Sequence, residues 1–280
     1  MNFKRIFTFG CSFTSYAWPT WADIMVEDFK NKGLYGRNFG RCGAGNSYLF
    51  IKFMEAHRVY KFNKEDLIVF NWTSFQREDR MANGKWHTPG NIFTSNVYTD
   101  DFKITWADPT HYAIRDCSII SNLKSFVNLI GAKVVTLSMS DLKQIDSSDK
   151  KSLFKSVNNV IKFYNDDITP DLPPMMEYLN LTERNDISNK RRLKTMWDEN
   201  KPNDWLYEWH PTVEEHFRYL NENILPFLNL KLESKTEEFV NEWTLKIKDM
   251  QEPICLNKTG WKLLKNDEIV NQIWEQPNIL

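Results

Sequence analysis

The feature that most constrains this chain is a recurring punctuation. Short apolar, β-forming runs end at glycine or polar turns and hand over to segments with helical spacing. Residues 3–9 form the first run, stopped at Gly10. Beyond Thr20, the residues Trp21, Ile24, Met25 and Phe29 recur at helical spacing, and Gly33 ends that segment. A second strand is expected over 34–39, running into Gly40, Gly43 and Gly45. Asn46 or Ser47 is then the expected cap of a helix carrying Leu49, Phe50, Phe53, Met54 and Tyr60. Residues 66–70 (Asp-Leu-Ile-Val-Phe) look like a strand buried on both faces. A further helical stripe, Ile120, Leu123, Val127 and Ile130, ends at Gly131, and 132–137 is the fourth strand. Strands alternating with helices predict an α/β fold with a parallel sheet and right-handed crossovers.

Two stretches interrupt the alternation. Residues 75–110, rich in Asn, Gly, Asp, Thr and Pro, read as a long loop, and loops of that length usually line a site. Residues 141–203 carry charges of both signs and a break at Pro170, Pro173 and Pro174; they read as a helical insertion or lid. Thr212-Val213-Glu214-Glu215 is a capping box opening a helix with Phe217, Leu220, Ile224 and Leu228 on one face. Past Lys231 a helix with Phe239, Val240, Trp243 and Ile247 is expected. The organisation read from this is one domain over 1–230, interrupted at about 141–203, and a helical extension over 231–280.

Composition narrows the function class. With 36 Lys+Arg against 37 Asp+Glu, the net charge of −1 argues against a generic nucleic-acid binder. The 14% aromatic content, including 11 Trp and 19 Phe, is ample for a sizeable core in 280 residues. No run approaches the ~20 apolar residues of a membrane span, and no signal segment is read at the N-terminus. The four cysteines Cys11, Cys42, Cys117 and Cys255 lack C-x-x-C spacing, so neither a zinc knuckle nor a disulfide framework is expected, and a reducing, cytoplasmic setting is.

Three segments carry residue types suited to chemistry. Gly10-Cys11-Ser12-Phe13-Thr14 follows the first strand, where a serine hydroxyl can project above the carboxyl edge of a parallel sheet; a plain turn with a capping serine is the alternative. Asn38-Phe39-Gly40-Arg41-Cys42-Gly43-Ala44-Gly45 follows the second strand and can offer backbone N–H groups to an anion, or merely shape a turn. Trp205-Leu206-Tyr207-Glu208-Trp209-His210-Pro211 precedes the capped helix, and a histidine there with a carboxylate two residues before it suits a general base. Alone, such a histidine is more often a surface group.

In that order the three segments resemble the SGNH, or GDSL-type, hydrolase family, over 3–74 and 204–228 in motif and between them in topology. The resemblance implies a three-layer α/β/α, flavodoxin-like sandwich and hydrolysis of acyl esters, commonly acetyl or acyl groups on carbohydrates or lipids. It implies Ser12 as nucleophile, His210 as base, Glu208 (with Asp204 as the alternative) as its acid, and the Gly43 amide in the oxyanion hole. The third block, normally Gly-x-Asn-Asp, is Asn71-Trp72-Thr73-Ser74 here, so the remaining donor is Asn71 or, in the other register, Thr73. Cys11 stands where an Asp usually precedes the nucleophile. No metal or organic cofactor is implied, and the partner is a small acyl ester or an acylated glycan. The Gly-Cys-Ser-Phe-Thr wording, Trp72-Thr73-Ser74 with Arg77 and Glu78, and His210-Pro211 with His216 are similar to SGNH-like proteins of tailed bacteriophages, which implies action in a host cell or on a virion.

Three rival readings follow from the same residues. The degraded third block suits a non-catalytic, SGNH-shaped module that recognises glycans. Residues 8–15 could form a hydroxyl-rich phosphate loop. Cys11 could itself be a nucleophile. Trp18, Trp72, Trp86 and Trp106 suit either stacking on sugars or filling a core, and Arg41 and Arg77 suit either an anionic substrate or pairing with Glu78 and Asp79. His57, His87, His111 and His216 lack metal-ligand spacing and read as structural or surface groups.

Overall fold

The computed structural model describes residues 3–95, 97–143, 151–181, 194–196, 205–208, 210–249 and 254–255. The alternation read from the sequence builds a parallel sheet from β1 (Arg5–Phe9), β2 (Tyr35–Asn38), β3 (Asp66–Trp72) and a later strand, Lys133–Ser138. The spatial order places β2 at one edge, then β1, then β3, with Lys133–Ser138 at the other. β1 aligns Arg5 with Asp66 and Phe9 with Phe70, and the Arg5 guanidinium grips the Asp66 carboxylate at 2.6 and 2.7 Å at the amino edge.

Side-chain alternation along the strands splits the interior into two cores, as a period of two requires. Ile6, Leu67, Val69 and Leu137 face one way, against α1 (Trp21–Asn31) and the chain's later helices. Phe7, Phe9, Ile68 and Phe70 face the other, against α2 (Asn46–Tyr60) and the long helix Pro109–Leu129. Helices thus cover both faces of a parallel sheet, giving the three-layer α/β fold expected.

Several local expectations are corrected. α2 is capped neither by Asn46 nor by Ser47: Gly45 holds the cap position, and Asp79 from a distant loop accepts the Gly45 and Tyr48 N–H groups at 2.8 and 2.9 Å. Asn46 is spent elsewhere, inside the core. Residues 75–110 are not one loop. They contain a hairpin of β4 (Arg80–Ala82) and β5 (Lys85–His87) and the short helix α3 (Asp100–Trp106), followed by α4 (Pro109–Leu129). The hairpin turns on Asn83-Gly84, both at positive φ, the conformation a tight two-residue connection demands. Thr99 and Asp108 cap α3 and α4, and Pro109 opens the latter.

The sheet's fourth strand is β6 (Lys133–Ser138). After it, residues 151–181 hold α5 (Lys151–Phe163), α6 (Asn165–Ile168) and α7 (Met175–Tyr178). Their residues pack into the main cores rather than standing off them: Val157, Ile161 and Ile168 on one face, Leu172, Met175, Leu179 and Leu181 on the other. Asp171 accepts the Thr136 N–H and hydroxyl at 2.7 and 2.8 Å, clamping this segment to β6. A second, three-stranded sheet joins β7 (Lys194–Met196), β8 (Trp205–Tyr207) and β9 (Ile254–Cys255). Thr212 closes the predicted capping box of α8 (Val213–Tyr219), which runs on through a π-helical turn (Leu220–Ile224) into α9 (Leu225–Leu228). The last described helix, α10 (Ser234–Lys248), sets Val240, Trp243 and Ile247 into the core beside α1, and Asp28 of α1 accepts from Glu233 N and Thr236 Oγ1. None of the described helices is long and apolar enough to cross a membrane.

Candidate active site

β1 leads to β2 on one side of itself and to β3 on the other, so the strand order reverses at β1. Open α/β sheets bind ligands at the carboxyl ends of strands beside such a reversal. Ser12 sits there, three residues past the end of β1, in a turn closed by Thr14 and Ser15 N–H groups on the Cys11 carbonyl at 2.9 and 3.0 Å. The turn tolerates no side chain at Gly10, where a Cβ would meet Thr14 Oγ1 at 2.0 Å. Asn38, at the end of β2, braces it from the side. Its amide nitrogen donates to the Thr14 carbonyl at 2.6 Å and to Asp23 at 2.9 Å, and its oxygen accepts from Thr8 Oγ1 and Gly40 N.

A segment far along the sequence completes the arrangement. His210 Nε2 lies 3.0 Å from Ser12 Oγ, and Nδ1 lies 2.6 Å from Glu208 Oε1. The same carboxylate oxygen accepts the His210 backbone N–H at 2.8 Å, so the acid holds the histidine by ring and by main chain. Glu208 Oε2 accepts the Tyr16 hydroxyl at 2.8 Å. Only 3% of Glu208 is exposed, and burial alone would raise its pKa. The His210 ring and N–H, helped by the Tyr16 hydroxyl, outweigh that and bring it down to about 2. It is therefore a carboxylate at any working pH. Asp204, the other candidate acid, lies outside the described residues.

The glycine cluster comes to the same edge. Arg41 N donates to the Gly10 carbonyl at 2.9 Å, which sets the 41–43 turn against the Ser12 turn. Gly43 has φ +72°, and a Cβ there would lie 1.9 Å from the Thr88 carbonyl oxygen, so no other residue fits. Asn71 reaches the underside of the serine turn instead of its open side: its amide donates to Thr14 Oγ1 at 3.1 Å and faces Met175 Sδ at 3.7 Å. Thr73 is tied to Asn46, which accepts its N–H at 3.0 Å and donates to its carbonyl at 2.9 Å.

The remaining singled-out residues divide clearly. Trp18, Trp72 and Trp86 are buried and only Trp106 is exposed, so the core-filling alternative describes three of the four. Arg41 donates to Trp86 O and Thr88 Oγ1; Arg77 donates to Ala44 O and faces Met139 Sδ at 3.1 Å. It is Arg80 and Arg115 that pair with Glu78, at 2.8 and 3.4 Å. Cys11 is fully buried with Sγ toward Met139, while His210 addresses Ser12. Burial, with Cys11 beside it, pushes the Cys42 thiol up to about 12. Three hydroxyls of the phosphate-loop alternative are engaged internally, Thr8 with Asn38, Thr14 with Asn71 and Ser12 with His210. His216 is buried on α8, and among the described residues no cluster of three or more His, Cys, Asp or Glu is placed to hold a metal.

Sequence reasoning missed Tyr16. Its position four residues after Ser12, in a turn read only for its hydroxyls, gave no periodic or motif signal; only the fold brings it to Glu208 and His210.

No family model and no curated protein matches the chain. Among solved structures it is similar to a GDSL-like lipase from Bacteroides thetaiotaomicron, with 14% identity, 81% of this chain and 88% of that one covered, and a TM-score of 0.39. It is also similar to the psychrotrophic esterase EstA from a Pseudoalteromonas species, with 8% identity, 81% and 99% covered, and a TM-score of 0.44. An acetylxylan esterase from Geobacillus stearothermophilus has 10% identity, with 82% and 98% covered and a TM-score of 0.43. Likeness at this level says nothing about activity, which has to be argued from the site itself.

Proposed function

We propose that this chain is a serine ester hydrolase of the SGNH type, cleaving acyl esters, with acetylated carbohydrate as the substrate class. The observation that carries the reading is the unbroken line from Ser12 Oγ to His210 Nε2 at 3.0 Å and from Nδ1 to Glu208 Oε1 at 2.6 Å, at the carboxyl edge of a parallel sheet. With Glu208 ionised, the imidazole keeps its proton on Nδ1 and turns the Nε2 lone pair toward the Ser12 hydroxyl. Ser12 Oγ attacks the ester carbonyl as its proton passes to Nε2. The imidazolium returns that proton to the departing alcohol, leaving an acyl-serine. Water, deprotonated by His210, then attacks the acyl carbon, releases the acid and restores Ser12.

The developing oxyanion needs donors aimed at it. We assign these to the backbone N–H groups of Ser12 and Gly43, with Asn71 and Thr73 holding the turns because their polar atoms face Thr14 and Asn46. Each such donor is typically worth about 10²–10³ in rate. Arrangements of this kind work as a unit, so Ser12→Ala and His210→Ala should each lower hydrolysis of a short nitrophenyl acetate series by at least about 10⁴. Ser12→Ala should also abolish labelling by a fluorophosphonate probe. Wild-type protein that neither turns over these esters nor labels at Ser12 would overturn the proposal.

A further inference from the structure

Glu208 and His210 reach the site from just behind the three-residue strand β8, with His210 198 residues along the sequence from Ser12. What holds them there comes from the nucleophile's own loop. Tyr16 lies with its ring over the His210 imidazole, centroids 4.0 Å apart and planes inclined by 23°, while its hydroxyl donates to Glu208 Oε2. Trp18 packs edge-on against Tyr16 at 4.7 Å and 82°, and its indole N–H donates to the Pro211 carbonyl at 2.9 Å. Phe13 closes on His210 at 5.5 Å.

We propose that Tyr16, backed by Trp18, is a positioning residue of the Ser12–His210–Glu208 system, fixing the carboxylate and the imidazole with one side chain and stabilising the imidazolium that forms as Ser12 loses its proton. This rests on the serine-hydrolase reading. Glu208 Oε1 takes both bonds from His210, so Oε2 is the atom whose anchoring stops the carboxylate from rotating away from Nδ1. Tyr16 anchors it, and burial beside Glu208 holds the phenol pKa far above its ordinary value, so the hydroxyl stays a donor. The stacked ring also presents its electron-rich face to a ring that becomes cationic only when the base has taken the serine proton. Such a contact favours the transition state over the ground state. Among the described residues, the groups facing the pair include Ser12, Phe13 and Tyr16 from the loop after β1 and the Cys42 thiol from the glycine turn.

Tyr16→Phe keeps the ring and removes only the hydroxyl; Tyr16→Leu removes the ring as well. On nitrophenyl acetate, Tyr16→Phe should lower kcat about tenfold with KM within about twofold of wild type. Tyr16→Leu should lower kcat about a hundredfold. Fluorophosphonate labelling of Ser12 should slow in the same order, and the low-field proton resonance of His210 Nδ1 should move in Tyr16→Phe. Folded variants that both keep wild-type kcat would overturn the proposal, as would a loss expressed wholly in KM. Should Tyr16→Leu not fold, Tyr16→Phe decides alone. Wild-type protein that neither turns over nor labels would defeat the hydrolase reading first; the Nδ1 resonance then decides the positioning role, which an unmoved signal in Tyr16→Phe would refute.

Discussion

Two buried carboxylates in this molecule have opposite fates. Glu208 accepts from the His210 ring and backbone and from Tyr16, and its pKa falls to about 2. Asp116, fully buried on α4, is pushed up to about 7 by burial, against the pull of Arg115 at 2.6 Å and Asn46 at 3.0 Å. Burial is similar; the charge supply differs. Arg115 also serves Glu78 and the Arg77 carbonyl, and Asp79 adds negative charge nearby. Glu208 faces a single histidine that gives it two bonds. The first carboxylate is held charged against His210, while the second joins α4 to α2 through Asn46.

The largest break between them should come from neutralising each. Glu208→Gln keeps shape but allows the wrong imidazole tautomer, and a loss of about 10³–10⁴ in kcat is expected. Asp116→Asn, with no contact to Ser12 or His210, should change kcat less than about threefold. Steady-state kinetics on the same ester checks both, and equal losses would erase the distinction.

A smaller effect sharpens the structural side. Asn46 accepts the Thr73 N–H, donates to the Thr73 carbonyl and donates to Asp116, all buried. Asn46→Ala strands those groups, which should cost about 2–4 kcal/mol of stability. Denaturant unfolding would read this as a lower midpoint with an unchanged slope. The polar node would prove to be part of the site if stability held while kcat collapsed.

How much of this was legible in the sequence follows from where the signal is local. The four parallel strands, α1 with its Thr20 capping box and the Gly131 helix end all follow from periodicity and turn chemistry within a few residues. Asn83-Gly84 was a local hairpin signal too, hidden in a stretch whose polar composition suggested a single loop. What escaped was tertiary. Asp79 caps α2 from more than thirty residues away, which displaces Asn46 from the cap position into the core. Asn71 turns beneath the serine loop, and Tyr16 meets Glu208 across 192 residues of sequence, because each contact depends on which strands lie side by side. Ser12, His210 and Glu208 were named from motif order, but their hydrogen-bonded line is a property of the fold.

The finest test of the comparison is pH. Asp116 has a folded pKa above its unfolded value, so its contribution to stability is fully present below about 4 and is lost as pH rises through about 7. Glu208 has the reverse sign: its contribution is present above the unfolded carboxylate value and is lost only as pH falls through about 2. Between pH 5 and 8, then, Asp116 tilts the stability curve downward while Glu208 leaves it level. Asp116→Asn deletes the titration whatever it does to absolute stability, so the gap between wild type and variant should shrink toward pH 8, by on the order of 2 kcal/mol. Unfolding free energies of wild type and Asp116→Asn at half-unit pH steps would show it. A gap that stayed constant for Asp116→Asn would mean Arg115 keeps that carboxylate ionised throughout, and the two acids would then differ in partners alone.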